Sequence, residues 1–127
     1  MMAAARWAQG AYGASIVQNV NDYNTHIALG DMDVQIIPTD PAENYKKTGV
    51  RDANLIAYTA KVSAFGHSAY LAADLEADGG YEDRLAPHVG HVDMLKAGHH
   101  GLPTSKPESI LSALSTSVIV QKGTEWT

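Results

Sequence analysis

Asp74 and the doublet His99-His100 are the residues whose types and positions best suit chemistry in this chain. Asp74 directly follows the apolar run Tyr70-Leu71-Ala72-Ala73, and the doublet follows Val92-Asp93-Met94-Leu95-Lys96-Ala97 after a single glycine. Both read as polar groups at the C-terminal ends of buried strands, where side chains project into the crevice that α/β folds use for ligands. A carboxylate and an imidazole meeting there suit zinc, manganese or iron; zinc takes such oxygen and nitrogen ligands at about 2.0–2.2 Å. Gly98 and Gly101 bracket the doublet, and without side chains they let backbone and substrate approach closely. A bland reading stands beside this one. An Asp after a strand also serves as a turn former or helix cap, and a His pair is often surface polar sequence. Two ligands do not complete a site, because catalytic zinc takes three protein ligands and a binuclear pair takes more.

The elements that must carry these residues can be read from periodicity and turn chemistry. Residues 3–9 predict a short helix that Gly10 stops, and residues 14–20 predict a short strand. A second extended run begins at His26, turns at Gly30-Asp31 into Val34–Ile37, and closes at Pro38. Residues 38–52 form the one long loop, with Pro, Asp, Glu, Asn, Lys and Gly and almost no apolar content. In the strand predicted over residues 54–62, Ile56, Tyr58, Ala60 and Val62 share one face, while Thr59 and Lys61 share the other. Phe65–Ser68 reads as a hairpin turn into an inner strand, residues 69–73. After a break at Asp78-Gly79-Gly80, a short helix is expected over residues 81–86, then an inner strand over residues 92–97. Ser105 and Glu108 form a capping box, with Pro107 in the first turn and Ile110, Leu111 and Leu114 as an apolar stripe, so a helix follows the doublet. Val118–Val120 is a last strand. Strands first and then strand–helix–strand predict one α/β (α+β) layered domain, a mixed sheet covered by helices.

The 127 residues fit one domain, and 45% of them are hydrophobic, enough for a core. Nine Lys and Arg against 14 Asp and Glu give a formal charge of −5, which argues against indiscriminate binding to nucleic acid or anionic lipid. A single phosphate held through a metal stays compatible with that charge, because the ion does the attracting. No Cys is present, so disulfides, thiolate catalysis and Cys-based zinc sites are excluded. No apolar run reaches the roughly 20 residues that span a bilayer, and the first six residues lack the apolar core of a signal peptide.

Three blocks of the chain together resemble the metallo-β-lactamase superfamily. They are Asp52-Ala53-Asn54-Leu55, Tyr70-Leu71-Ala72-Ala73-Asp74-Leu75-Glu76, and Val92-Asp93-Met94-Leu95-Lys96-Ala97-Gly98-His99-His100-Gly101 with Thr104-Ser105. The nearest look is to the branch of competence-protein hydrolase domains and teichoic-acid phosphorylcholine esterases. That branch carries an "NSL"-like segment, a strand ending in "GD", and "DxLKxxHHG" before a Thr/Ser turn and a helix. The likeness covers roughly residues 30–121, with the "LKAGHHG" block as its specific part. It implies a single partial domain over residues 1–127, the C-terminal half of an αββα sandwich. It also implies a metal-dependent hydrolase of phosphodiester or phosphoester bonds, using two zinc ions, or manganese or iron. Small-molecule or cell-wall phosphoesters are the implied substrates, and an extracellular or cell-surface setting the implied address. Carried over residue by residue, Asp74 bridges the two metals and one imidazole of the doublet ligates the second. His100 takes that ligand role, and His99 the neighbouring one of contacting a phosphate oxygen or supporting the ligand. Neighbouring residues at a strand end point in different directions, so the doublet's order is assigned by this likeness alone. In the intact enzyme the metals would activate a bridging water for attack at phosphorus, and loss of a donor such as His99 would cost a few kcal/mol.

The chain departs from that pattern in five respects. Ala73 stands where the branch has Gly, tolerable if its φ is negative. Asn54 stands where the branch has Ser, and Leu102 replaces the Ser after "HHG". The HxHxDH ligand cluster has no counterpart, as a C-terminal fragment would show. The third-motif His is not identifiable; His26, 48 positions before Asp74 (74 − 26), lies upstream as such a ligand should, at a strand start. The isolated chain is therefore expected to bind metal weakly or not at all. His67, His88 and His91 read as solvated, Tyr70 and Met94 as core, and Lys96 as snorkelling to the rim. Trp126 reads as packing on the last strand or shaping a pocket. The competing functions are a DNA-uptake nuclease domain, a degenerate non-catalytic binding module, and an unrelated α/β domain with an incidental His pair.

Overall fold

Two tight turns build the first part of the sheet. Gly30, at φ +62, opens the turn between β1 (Thr25–Leu29) and β2 (Met32–Pro38), so that Leu29 pairs with Met32. Phe65 and Gly66, at φ +52 and +78, join β3 (Tyr58–Ala64) to β4 (His67–Leu71). Positive φ at both central residues is the geometry whose twist matches antiparallel strands. The computed structural model describes residues 2–17, 20–39, 57–75, 80–101 and 108–122. Within them the chain continues through α2 (Tyr81–Val89), β5 (Met94–Lys96), a short 3₁₀ turn (Gly98–Gly101), α3 (Glu108–Leu114) and β6 (Val118–Val120). A first helix, α1 (Met2–Tyr12), precedes them.

The strands lie in sequence order in one six-stranded sheet. β1 to β4 form an antiparallel meander, and β4, β5 and β6 run parallel, each joined to the next through a helix. This is the expected α+β class, strands first and then strand–helix–strand. Among the described residues no helix is long and apolar enough to cross a membrane.

Register shows which face is packed. Gln35, Lys61, Tyr70, Leu95 and Ile119 align across β2 to β6, and Ile37 aligns with Thr59. Tyr70, Leu95 and Ile37 on this side join Leu85, Val89, Ile110 and Leu114 of the two later helices in one core. Thr59, fully buried there, donates to the carbonyl of Ile37 (2.9 Å) and accepts from the Tyr70 hydroxyl (3.0 Å). Lys61 reaches over the same side to the carbonyls of Val89 and His91.

The opposite face carries two apolar rows. Ile27, Val34, Val62, Ala69, Met94 and Val118 align, one per strand, as do Ile36, Ala60, Leu71, Lys96 and Val120 beside them. All of these are half-buried or exposed. The alternation expected in β3 is present, but its polar side faces the helices and its apolar side is the open one. Met94 accordingly lies on the open face, not in the core, whereas Tyr70 is buried as expected.

Other differences are local. α1 runs through Gly10 and ends at Gly13, whose φ of +66 gives the stop. Residues 14–17 form no strand, because no neighbouring strand offers them a ladder. α2 extends to Val89 because Pro87 lies within it without ending it. The long loop beyond Thr39, the "NSL"-like segment, most of the capping box and Trp126 lie outside the described residues.

Candidate metal site

The parallel pairing of β4 with β5 brings Asp74 and the His doublet to one end of the sheet. Leu71 pairs with Lys96, and both chains leave the ladder there into tight turns. The carbonyl of Ala73 fastens the two turns together, accepting from the His99 amide (3.1 Å) and from Lys96 Nζ (3.0 Å). Lys96 thus spends its amine on the backbone of the neighbouring tip rather than reaching to solvent. On the same side, Ala72 N donates to the Lys96 carbonyl (3.3 Å) and Leu75 N to the Ala72 carbonyl (3.2 Å).

Both turns are tight in a costly way. Ala73, His99 and His100 hold φ values of +52, +40 and +60, a left-handed region that costs a non-glycine residue about 1–2 kcal/mol. The negative φ anticipated at Ala73 is not found; the Gly of the resembled branch would suit this position better. Gly98 is required for another reason. A Cβ there would run into the carbonyl oxygen of Leu75, and at Gly101 one would stand 2.7 Å from Gln121 Cβ. The bracketing glycines therefore admit the protein's own chain, not only a substrate.

These turns aim Asp74 and His100 at each other. His100 Nε2 lies 3.9 Å from Asp74 Oδ1, with the two side chains 56% and 49% exposed. Two zinc ligands at about 2.0–2.1 Å and a tetrahedral angle sit roughly 3.4 Å apart, so a closure of about half an ångström would let one ion touch both. Exposed side chains can make that adjustment. His99 is half-buried, with its ring centroid 5.9 Å from that of His100 and the two ring planes tilted by 51°. Among the described residues, no three His, Asp or Glu side chains are grouped to hold an ion.

His26 does not join the pair. It lies on β1, three strand spacings from β4, or roughly 14 Å at about 4.8 Å each, and its Nδ1 is 2.8 Å from Asp33 Oδ2. The other histidines are exposed, as expected, and each also has a neighbour. His88 stacks on Tyr23 with 3.7 Å between ring centroids. His91 donates through Nδ1 to the Leu114 carbonyl (3.1 Å). His91 Nε2 and His67 Nδ1 flank Asp93 at 3.7 and 3.5 Å, at the far end of β4 and β5 from Asp74. Asp93 Oδ2 also accepts from Ser68 N (2.8 Å). That backbone hydrogen bond, with the nearby imidazoles, holds the carboxyl below its ordinary range.

Sequence reading missed Glu82. It lies in the first turn of α2, is 2% exposed, and its Oε1 is 3.5 Å from where a Gly98 Cβ would stand. A buried acidic side chain beneath the doublet's turn marks a constrained place, because its polar atoms must be matched there. Its one visible signal was its place just after the Gly79-Gly80 break. Burial pushes the Tyr70 phenol up, against the lowering effect of its hydrogen bond to Thr59, and the Glu82 charge adds to the rise.

No protein-family model matches the chain, and no curated protein matches it by sequence.

Proposed function

We propose that this chain is the sheet-and-helix half of a metal-dependent hydrolase of the metallo-β-lactamase fold, acting on phosphodiester or phosphoester bonds. The observation that carries the reading is the 3.9 Å approach of His100 Nε2 to Asp74 Oδ1 from two adjacent parallel strand tips. The half-sandwich part of it is supported by the apolar open face, which asks for a second layer. Zinc suits an oxygen–nitrogen donor set, with manganese or iron as alternatives. A divalent ion held there supplies positive charge that acidifies water and neutralises phosphate oxygens. Asp74 contributes an anionic oxygen ligand and His100 a neutral nitrogen ligand. His99 donates a hydrogen bond to an oxygen of the phosphate, and the Ala73 carbonyl keeps the two tips in register. The described residues hold two ligands, so the reading assigns the others to the layer that faces this sheet.

Hydrolysis of bis(p-nitrophenyl) phosphate with millimolar zinc or manganese tests the reading. The intact hydrolase of this reading is expected to turn it over only with metal, whereas this chain by itself, with two of the ligands, should be inactive. Asp74→Asn and His100→Gln should each lower the intact enzyme's rate by at least about tenfold. Rates equal to the unmodified enzyme in both variants would remove the assignment.

A further inference from the structure

Hydrogen bonds join the exits of β4 and β5, and Lys96 takes part in two of them. Its carbonyl accepts from Ala72 N (3.3 Å), and its Nζ donates to the Ala73 carbonyl (3.0 Å). The same Ala73 carbonyl accepts from the His99 amide (3.1 Å). That carbonyl belongs to the peptide group whose nitrogen is Asp74's own, and His99 is the chain neighbour of His100. A peptide group is planar and rigid, so holding its oxygen from two sides fixes where the Asp74 Cα lies.

Lys96 is an unusual residue for its row. Ile36, Ala60, Leu71 and Val120 line up with it across the open face, and it alone among them is charged. A lysine on apolar surface ordinarily lays its stem there and keeps its ammonium in water. Here the ammonium is part-buried against the carbonyl of the neighbouring tip. A charged donor makes a stronger hydrogen bond than a neutral one, the more so away from water. The bond falls on Ala73, whose φ of +52 runs against alanine's own preference. The Asp74 and His100 side chains are themselves half exposed, so the backbone beneath them governs their 3.9 Å approach.

We propose that Lys96 is a positioning residue: through the Ala73 carbonyl its ammonium locks the Asp74 turn against the doublet's turn and so sets the approach of Asp74 to His100. The inference deepens the hydrolase reading and rests on it for the ion, whereas the lock itself needs no metal.

Two variants of the full chain test it. Lys96→Met keeps a stem of similar length in the apolar row and removes the donor; Lys96→Arg restores a charged donor. In a manganese titration followed by NMR, the concentration that broadens the His100 signals should rise about tenfold in Lys96→Met, as for other residues that support metal ligands, and return to within about threefold in Lys96→Arg. Without metal, hydrogen exchange of the His99 amide should quicken several-fold in Lys96→Met but not in Lys96→Arg, while the amides of β1 and β2 keep their rates. A manganese midpoint unmoved in Lys96→Met, or raised equally in both variants, would overturn the role of Lys96 and leave the shared ion standing. If manganese broadens neither tip of the unmodified chain, the metal reading fails instead, and exchange alone decides the lock. His99 exchange that quickens by itself in Lys96→Met then supports it. Exchange that is unchanged, or that quickens together with β1 and β2, overturns it.

Discussion

Ala73, His99 and His100 pay for their place at the strand tips with left-handed backbone. His100 gains an imidazole that faces Asp74 in return, but Ala73 gains nothing that glycine lacks. Ala73→Gly should therefore stabilise the fold by about 0.5–1 kcal/mol, the relief of strain outweighing the added freedom of the unfolded chain. A urea midpoint that rises without a change in slope would bear this out. Asp93 is the second residue with a measurable signature. Its folded carboxyl titrates below the ordinary value of 3.8 because Ser68 N, His67 and His91 favour the charged form. The stability it adds is fully present above that ordinary value and is lost as pH falls through the depressed one. Asp93→Asn should thus cost stability at neutral pH and converge with the unmodified chain in acid, as read from denaturation midpoints against pH. That Asp74 and the doublet meet at one end of the sheet was legible because each follows an apolar run. The sign of φ at Ala73 was not, since it depends on how the two turns close against each other and not on alanine's own preference.

At the scale of elements, the strands with turn residues at both ends were readable. The Gly30-Asp31 turn, the Phe65-Gly66 turn and the last strand lie where local chemistry puts them. Residues 14–17 failed as a strand because a short apolar run becomes one only beside a partner. β3 shows a different limit: period-two alternation was right, yet it says nothing of which side the helices will cover. Buried Thr59 pairs with Tyr70 and the Ile37 carbonyl, so the polar side can be the inner one. The same contrast predicts unequal costs in the parallel half. Leu114, fully buried from α3, should lose about 2–4 kcal/mol on change to Ala. Val118, 52% exposed on β6, should lose less than about 1 kcal/mol. Chemical denaturation of the two variants side by side checks the ordering.

For the whole molecule, the α+β class followed from element order alone, and the sheet's sequential topology agrees with it. The open apolar face was beyond sequence reading, because Ala60, Val62 and Met94 look like ordinary core residues until register shows them on the side away from the helices. The site has the same character. Topology joins two tips that lie 26 positions apart (100 − 74), and the described residues stop at two ligands. On the proposed hydrolase reading, weak and localised ion binding is the expected outcome. Paramagnetic broadening of the chain's NMR spectrum by millimolar manganese tests this most directly. Signals of Asp74, His99 and His100 should broaden first, and Asp74→Asn should abolish the effect. Broadening centred on His26, His67 or His91, or broadening at the doublet that survives Asp74→Asn, would contradict a shared ion between Asp74 and His100.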